Sequence, residues 1–162
     1  MLLVDSREKP KAIENIIHEF QKAHVHYERT KLYIGDYMDY SNPLLIVDRK
    51  QSIAELAQNC TSDHARFKAE LERAKAVGAE LVILVEQNRY RDRDRWVQVT
   101  DIEDLLCWTS PHTMIRGEKV YRVLVSWSAK WPIKVVFCDK RQTGQQIIKI
   151  LYEGETEPHG GK

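Results

Sequence analysis

No apolar run in this sequence approaches the ~20 residues that cross a bilayer; among the longest, Leu81 to Val85 has the length of a buried strand. The start, Leu2-Leu3-Val4-Asp5, lacks a basic leader, an apolar stretch and a cleavage site, so secretion is not expected. Cysteine is scarce. Cys60, Cys107 and Cys138 are odd in number, far apart and without CxxC spacing. That pattern suggests neither a disulfide framework nor a structural zinc site, and it reads as buried thiols in a reducing cytoplasm. A surplus of either charge is also missing, since 25 Lys and Arg face 24 Asp and Glu for a net charge of +1. Any nucleic-acid partner must therefore meet positive charge that is local rather than global. Internal repeats and low-complexity segments are absent too.

What is there is ordinary globular material. Hydrophobic residues make up 43% and charged residues 30% of 162, enough for one domain with one real core. Strands and helices alternate along it. Leu2 to Asp5 reads as a strand that ends in an acid, and Pro10 then opens a helix with Ile13, Ile16, Ile17 and Phe20 on one face. Val25 to Ile34 and Leu44 to Arg49 read as strands, with Ser41-Asn42-Pro43 as turn residues before the second. Ser52-Ile53-Ala54-Glu55 has the form of a capping box. A helix over Asp63 to Val77 turns Phe67, Leu71 and Ala74 inward and stops at Gly78. Leu81 to Glu86 is a strand that again ends in an acid. The charged stretch Arg89 to Trp96 reads as an exposed loop, Asp101 to Trp108 and Gly117 to Lys130 as helices, Ile133 to Cys138 as a last strand, and Gln142 to Tyr152 as a last helix. The polar tail from Glu153 to Lys162 should be loosely ordered, leaving a domain over 1–152. Such alternation implies an α/β sheet covered on both faces.

Strand ends carry the chemistry. Asp48 and Lys50, two apart, project from the same face of an extended strand. Asp36 lies at the end of the preceding predicted strand, and a hairpin would bring it beside Asp48. Two carboxylates and an ammonium at a sheet edge can bind a hard divalent ion, activate a water and offset charge on a phosphodiester transition state. Taken alone, Asp48-Arg49-Lys50 also reads as solvated charges closing a strand. Gly35 before Asp36, where a missing Cβ lets a ligand approach, and the acidic Asp5-Ser6-Arg7-Glu8 at the end of the first strand favour the chemical reading.

In this order, Asp5-Ser6-Arg7-Glu8, Ile34-Gly35-Asp36-Tyr37 and Val47-Asp48-Arg49-Lys50 resemble the nuclease domain of the XPF-type structure-specific endonucleases. That family carries a D-x-R-E segment, a G-D-Y/F turn and an E-R-K strand followed by an acid. The likeness runs from about Leu2 to Glu86 and includes Arg66-Phe67; a weaker one continues to Val135 to Cys138 and its helix. It implies a restriction-endonuclease-like α/β fold, a central mixed sheet flanked by helices on both faces. It also implies a Mg2+- or Mn2+-dependent endonuclease acting on branched or distorted DNA in repair, recombination or replication. Asp36, Asp48 and Asp5 would then hold metal and Lys50 would be the catalytic lysine. Asp5 and Glu8 would complete the acidic pocket, while Arg7 and Arg49 would hold carboxylates or the scissile phosphate. Two positions depart from the pattern. The family's glutamate is Asp48 here, and its downstream acid position is Ala54; Glu55, one further on, equally serves as half of the Ser52 capping box. The tandem helix–hairpin–helix module of eukaryotic members finds no room in these residues.

Outside the cluster, Arg89, Arg91, Arg93 and Arg95 could track a phosphate backbone with Tyr90 or Trp96 stacking on a base, or form a solvated loop. Arg7 and Arg66 are further DNA-contact candidates, as are Lys9, Lys11 and Lys31. His24-x-His26 reads as surface or packing rather than metal site, and Trp108, Trp127 and Trp131 as core or interface aromatics. The main alternative is a DNA-binding scaffold subunit without catalysis. A helicase or clamp partner and a homodimer are further expectations, the latter resting on apolar residues such as Ile147, Ile148 and Leu151, which a core would equally use.

Overall fold

A computed structural model describes residues 1–153; the tail expected to be loose lies, from residue 154 on, outside the described residues. Among the described residues, eight strands and five helices follow in order: β1 (Leu2–Asp5), α1 (Glu14–Lys22), β2 (Tyr27–Thr30), β3 (Tyr37–Asp39), β4 (Asn42–Lys50), α2 (Ile53–Asn59), α3 (His64–Val77), β5 (Glu80–Val85), β6 (Arg89–Asp92), β7 (Arg95–Gln98), α4 (Gly117–Lys130), β8 (Ile133–Phe137) and α5 (Thr143–Tyr152). Six strands form one mixed sheet in the order β2-β1-β3-β4-β5-β8, and β6-β7 form a separate antiparallel ribbon. In the large sheet only β3 runs against its neighbours.

The alternation of side chains along β4 and β5 divides the core in two. Ile46, Leu81, Ile83 and Val85 point to the face covered by α2, α3 and α4, where Leu56, Leu71, Leu124 and Trp127 meet them. Val47, Val82 and Leu84 point to the other face, closed by Ile16 and Phe20 of α1 and Ile147 and Leu151 of α5. Each fully buried side chain of this size contributes roughly 1.5–3 kcal/mol, so both faces are essential to the sheet. Among the described residues no helix is long and apolar enough to cross a membrane.

Most elements lie where the periodicity places them, and the differences are instructive. The strand expected over Val25 to Ile34 is only β2, because β1 offers four partners, Leu2 to Asp5, for Tyr27 to Thr30. Beyond Thr30 the chain leaves the sheet, burying Leu32 and Ile34 as loop residues. It returns as β3, a three-residue strand that periodicity does not reveal. The charged stretch Arg89 to Trp96 is a strand pair, not a loop. Tyr90 and Val97 face each other across it toward the core, and Arg89 and Arg91 occupy the outer positions. Its charge hides an alternation that burial requires. Asp101 to Trp108 yields only a 3-10 turn at Ile102–Leu105, capped by Asp101 and Asp104. Cys107 is exposed, against expectation, because it follows that turn on the solvent side; Cys60 and Cys138 are buried. Trp108, Trp127 and Trp131 are core residues.

Gly117 opens α4 at a backbone crossing. Its N–H donates to Trp108 O at 2.7 Å, and a Cβ there would stand 1.6 Å from Leu105 O. Neither backbone can yield without moving the turn or the helix. Gly117→Ala is therefore expected to cost about 3 kcal/mol, the upper range for overpacking, read as a lower urea midpoint at unchanged slope.

Candidate active site

Because β1, β4 and β5 run in parallel and β3 runs against them, three strand C-termini and one N-terminus gather at one edge of the sheet. In open α/β sheets, the carboxyl ends of strands are where ligands bind. Here that edge carries Asp5 closing β1, Asp36 entering β3, Asp48 to Lys50 closing β4, and Glu86 after β5. Backbone hydrogen bonds lock them in register: Asp5 N to Asp36 O at 2.8 Å, Asp36 N to Val47 O at 2.8 Å, and Glu86 N to Lys50 O at 2.9 Å. Asp36 thus comes beside β4 through a β3–β4 hairpin, not through the longer strand expected before it. Gly35 is needed for this turn. Its φ is +64°, and a Cβ would lie 2.4 Å from Ile46 Cγ2 and 3.0 Å from Val47 O. The close approach that demands glycine is to the β4 backbone rather than to a ligand.

Alternation then sorts the β4 residues onto two faces. Asp48 and Lys50 point toward α3, with Lys50 Nζ 2.7 Å from Asp48 Oδ2 and 4.8 Å from the centre of the Phe67 ring. The Lys50 ammonium is thus the ion-pair partner of this buried oxygen. Asp36 Oδ2 accepts from Arg49 N at 2.7 Å. Burial, then the charges of Asp48 and Glu8, hold the Asp36 carboxyl well above the usual carboxylate range. Burial opposes the Lys50 charge, but Asp48, with Asp36 and Glu55, holds it above the ordinary lysine value. These groups border a polar cavity of about 270 Å3 that also takes in Glu55, Arg66 and Glu70.

Glu70 was not among the expected site residues. It extends from α3, and its Oε1 accepts from Gly35 N at 2.7 Å, tying the helix to the turn that carries Asp36. Burial, then the Asp48 charge, raise its carboxyl too. The available signal was helical: Phe67, Glu70, Leu71 and Ala74 share one stripe, so a glutamate sat on a face marked as inward. Asn59 and Arg73 also line the cavity, and each has a buried polar atom, Asn59 Oδ1 and Arg73 Nε, without a hydrogen-bond partner.

Arg49 points the other way. Its guanidinium binds Glu8 through Nε at 2.8 Å and Nη2 at 2.9 Å, and Glu86 through Nη1 at 2.6 Å. Tyr37 Oη donates to Glu8 at 3.2 Å, and Thr143 Oγ1 donates to Glu86 at 2.8 Å. Burial opposes the Arg49 charge, but Glu8 holds its pKa above the ordinary value. Glu8 and Arg49 therefore satisfy each other, and both still line the cavity with Asp5, Arg7, Asp36 and Asp48. Asp5 is similarly engaged, accepting from Arg7 Nε at 2.8 Å and from the Arg7 backbone N at 3.1 Å. Both arginines hold carboxylates. Glu55 caps α2: its N donates to Ser52 Oγ at 3.1 Å while its carboxylate accepts from Gln51 N at 2.7 Å. Arg66 is exposed at the cavity rim, and Arg89, Arg91 and Arg93 sit on the ribbon. Ile147 and Leu151, offered above for a dimer, are core residues.

The donor set bears on a divalent ion. Among the described residues no three His, Cys, Asp or Glu side chains already stand as a metal cage. Asp36 and Asp48 nevertheless suit an oxygen-seeking cation: burial and then the Asp48 charge raise the proton affinity of Asp36, and both carboxylates line one cavity. Glu70 adds a third oxygen donor at the same cavity. Asp5, held by Arg7, fits less well.

Comparison with known proteins agrees with this architecture. A model of the ERCC4 domain matches residues 4–151. No curated protein sequence matches the chain. Among solved structures, XPF from Aeropyrum pernix superposes with a TM-score of 0.62 at 18% identity, covering 90% of this chain and 60% of that one. The same protein in complex with DNA gives a TM-score of 0.62 at 18% identity, with 92% and 62% covered. The chain thus spans about 60% of the length of that structure, and likeness at this identity establishes a shared restriction-endonuclease-like fold.

Two outcomes follow from the electrostatics. Arg49→Ala leaves Glu8 and Glu86 uncompensated, and thermal and urea unfolding should show a loss of about 3–5 kcal/mol. Asp36→Asn should do the opposite in EDTA at neutral pH. A carboxyl with a raised folded pKa contributes stability at low pH and loses it as pH rises through that value. The variant, which carries no such charge, should unfold at a higher temperature than the parent at pH 7.5, and the gain should vanish toward pH 4.

Proposed function

From the premise that the chain belongs to the ERCC4 domain family, a family of nuclease-type domains, we propose that it hydrolyses DNA phosphodiester bonds as a Mg2+- or Mn2+-dependent endonuclease. The observation that supports this reading best is the Asp36–Asp48 pair beside Lys50, three charged groups converging where parallel strands end. Asp36 and Asp48 would hold the divalent ion, with Glu70 supplying the carboxylate that the sequence lacks at Ala54. A divalent ion bound there polarises a phosphoryl oxygen and lowers the pKa of a coordinated water.

The remaining roles belong to the chain's own groups. Lys50, kept charged by Asp48 and set against the Phe67 ring, presents a cation to a phosphate oxygen or orients the attacking water. Arg49 acts from behind. By clamping Glu8 and Glu86 it holds β1, β4 and β5 at one level, and its N–H orients the Asp36 carboxylate. Arg66 at the rim is placed for the phosphate backbone. The preferred substrates of this reading are branched or distorted DNAs in repair, recombination or replication.

The test is cleavage of labelled flap, fork, four-way junction and linear DNA with Mg2+, Mn2+ or EDTA. Asp36→Asn, Asp48→Asn and Lys50→Ala should each lower the cleavage rate about 10^2- to 10^4-fold, the usual range for one acid–base or charge-stabilising group. DNA affinity in EDTA should be retained. Full cleavage by all three variants would sink the reading, and DNA binding with no cleavage in either metal would leave a scaffold subunit.

A further inference from the structure

The ribbon of β6 and β7 is not consumed by the site just described, and its outer face is unlike the rest of the surface. Strand pairing sets Tyr90 opposite Val97 and Arg91 opposite Trp96. The first pair points inward: Tyr90 is buried and donates its hydroxyl to Asp104 O at 2.9 Å, and Val97 packs against the core. The second pair points out with Arg89. The Arg89 guanidinium lies 4.8 Å and that of Arg91 5.8 Å from the centre of the Trp96 ring, yet Trp96 remains 56% exposed. A large aromatic left this open at the end of an anchored ribbon costs solvation that a core position would avoid. Arg93 occupies the turn with φ of +54°. Of the acids on the ribbon, Asp92 engages Arg95 at 3.3 Å.

Position matters as much as composition. Val99 N donates to Asn88 O at 2.8 Å and closes the base of the ribbon. Gln87 spans the junction, accepting from Ile53 N at 2.9 Å and donating to Arg89 O at 3.0 Å. Glu86, level with Lys50, is three residues before Arg89, so at most about 11 Å of chain separates them. A cationic, aromatic surface therefore starts within about 11 Å of chain from the sheet edge that carries Asp48 and Lys50. A polyanion approaching the acidic cavity must be held by charge supplied beside it.

We propose that the outer face of this ribbon binds an unpaired DNA strand next to the catalytic edge, with Trp96 stacking on a base and Arg89 and Arg91 contacting the flanking phosphates. It rests on the DNA-substrate reading above and names the form of DNA engaged. Stacking requires an exposed base face, which a single strand offers and an intact duplex does not. Guanidinium groups that lie over an indole keep N–H edges available for phosphate oxygens. A protein partner would gain less here, since the apolar part of the face is one ring.

The experiment is fluorescence anisotropy in EDTA, where nothing is cleaved, with a labelled oligothymidylate and a duplex of equal length at several KCl concentrations. The full chain should bind the single strand more tightly than the duplex. Trp96→Ala should weaken single-strand binding at least about fivefold and Trp96→Phe should restore most of it, as stacking predicts. The Arg89→Ala/Arg91→Ala double variant should lower the slope of log affinity against log salt by roughly 1.4, two lost single-strand phosphate contacts. Trp96 is exposed, so far-ultraviolet circular dichroism should stay at the parent's. Parent-like affinity and slope in both variants would overturn the proposal, as would equal binding of duplex with no effect of Trp96→Ala. A chain that cleaves normally but fails this test loses only the ribbon assignment. One that binds through the ribbon yet never cleaves loses only the nuclease reading.

Discussion

Arg49 is bonded at both ends, and the geometry of the acidic edge of the sheet depends on it. Its backbone N–H holds Asp36 on one side of the sheet, while its guanidinium holds Glu8 and Glu86 on the other. Three strands and the loop after β1 are thereby pinned at one level. Buried ion pairs of this kind are weak evidence for stability, since desolvation offsets much of the Coulombic gain. Their value here is geometric. A strand slipping by one residue would turn Asp48 away from α3 and bury Arg49 without its acids.

The same constraint explains why the acids lining one cavity form no ready-made metal cage among the described residues. Period-two alternation sends Asp48 and Lys50 to the α3 side and Arg49 to the α1–α5 side. Glu8 and Glu86 follow Arg49, and Asp5 is neutralised by Arg7. On the α3 side stand Asp36, Asp48 and Glu70 with Lys50, where burial and then the Asp48 charge raise the carboxyls of Asp36 and Glu70. The acidic cavity and the arginine-rich ribbon are then complementary parts. The first suits a cation and repels a polyanion, and the second, in the role proposed for it, would supply the missing attraction.

Much of this was legible along the chain. The limits of β1, α4 and β8, the inward face of α3 and the Ser52 cap all follow from local pattern, because periodicity and capping depend on near neighbours. The ordered motifs around Asp5, Asp36 and Asp48 likewise pointed to one edge. The misses share a cause. β3 is three residues long and exists because β1 and β4 are there to pair with it. The ribbon looked like a loop because its inner residues are only Tyr90 and Val97, and its burial is imposed by the 3-10 turn beneath. Glu70 belongs to a helix separated from the Asp36 turn by three elements, and no local spacing links its carboxylate to the N–H of Gly35.

Local sequence by itself determined the alternation of strands and helices, the strand-end placement of the acids and the shared face of Asp48 and Lys50, because each depends on the backbone period within a few residues. Tertiary structure alone decided which acids remain available. That outcome depends on which arginine reaches which carboxylate across the sheet, and on a helix glutamate brought to a glycine turn thirty-five residues away. Long-range pairing and burial set those contacts, and no period along the chain encodes them.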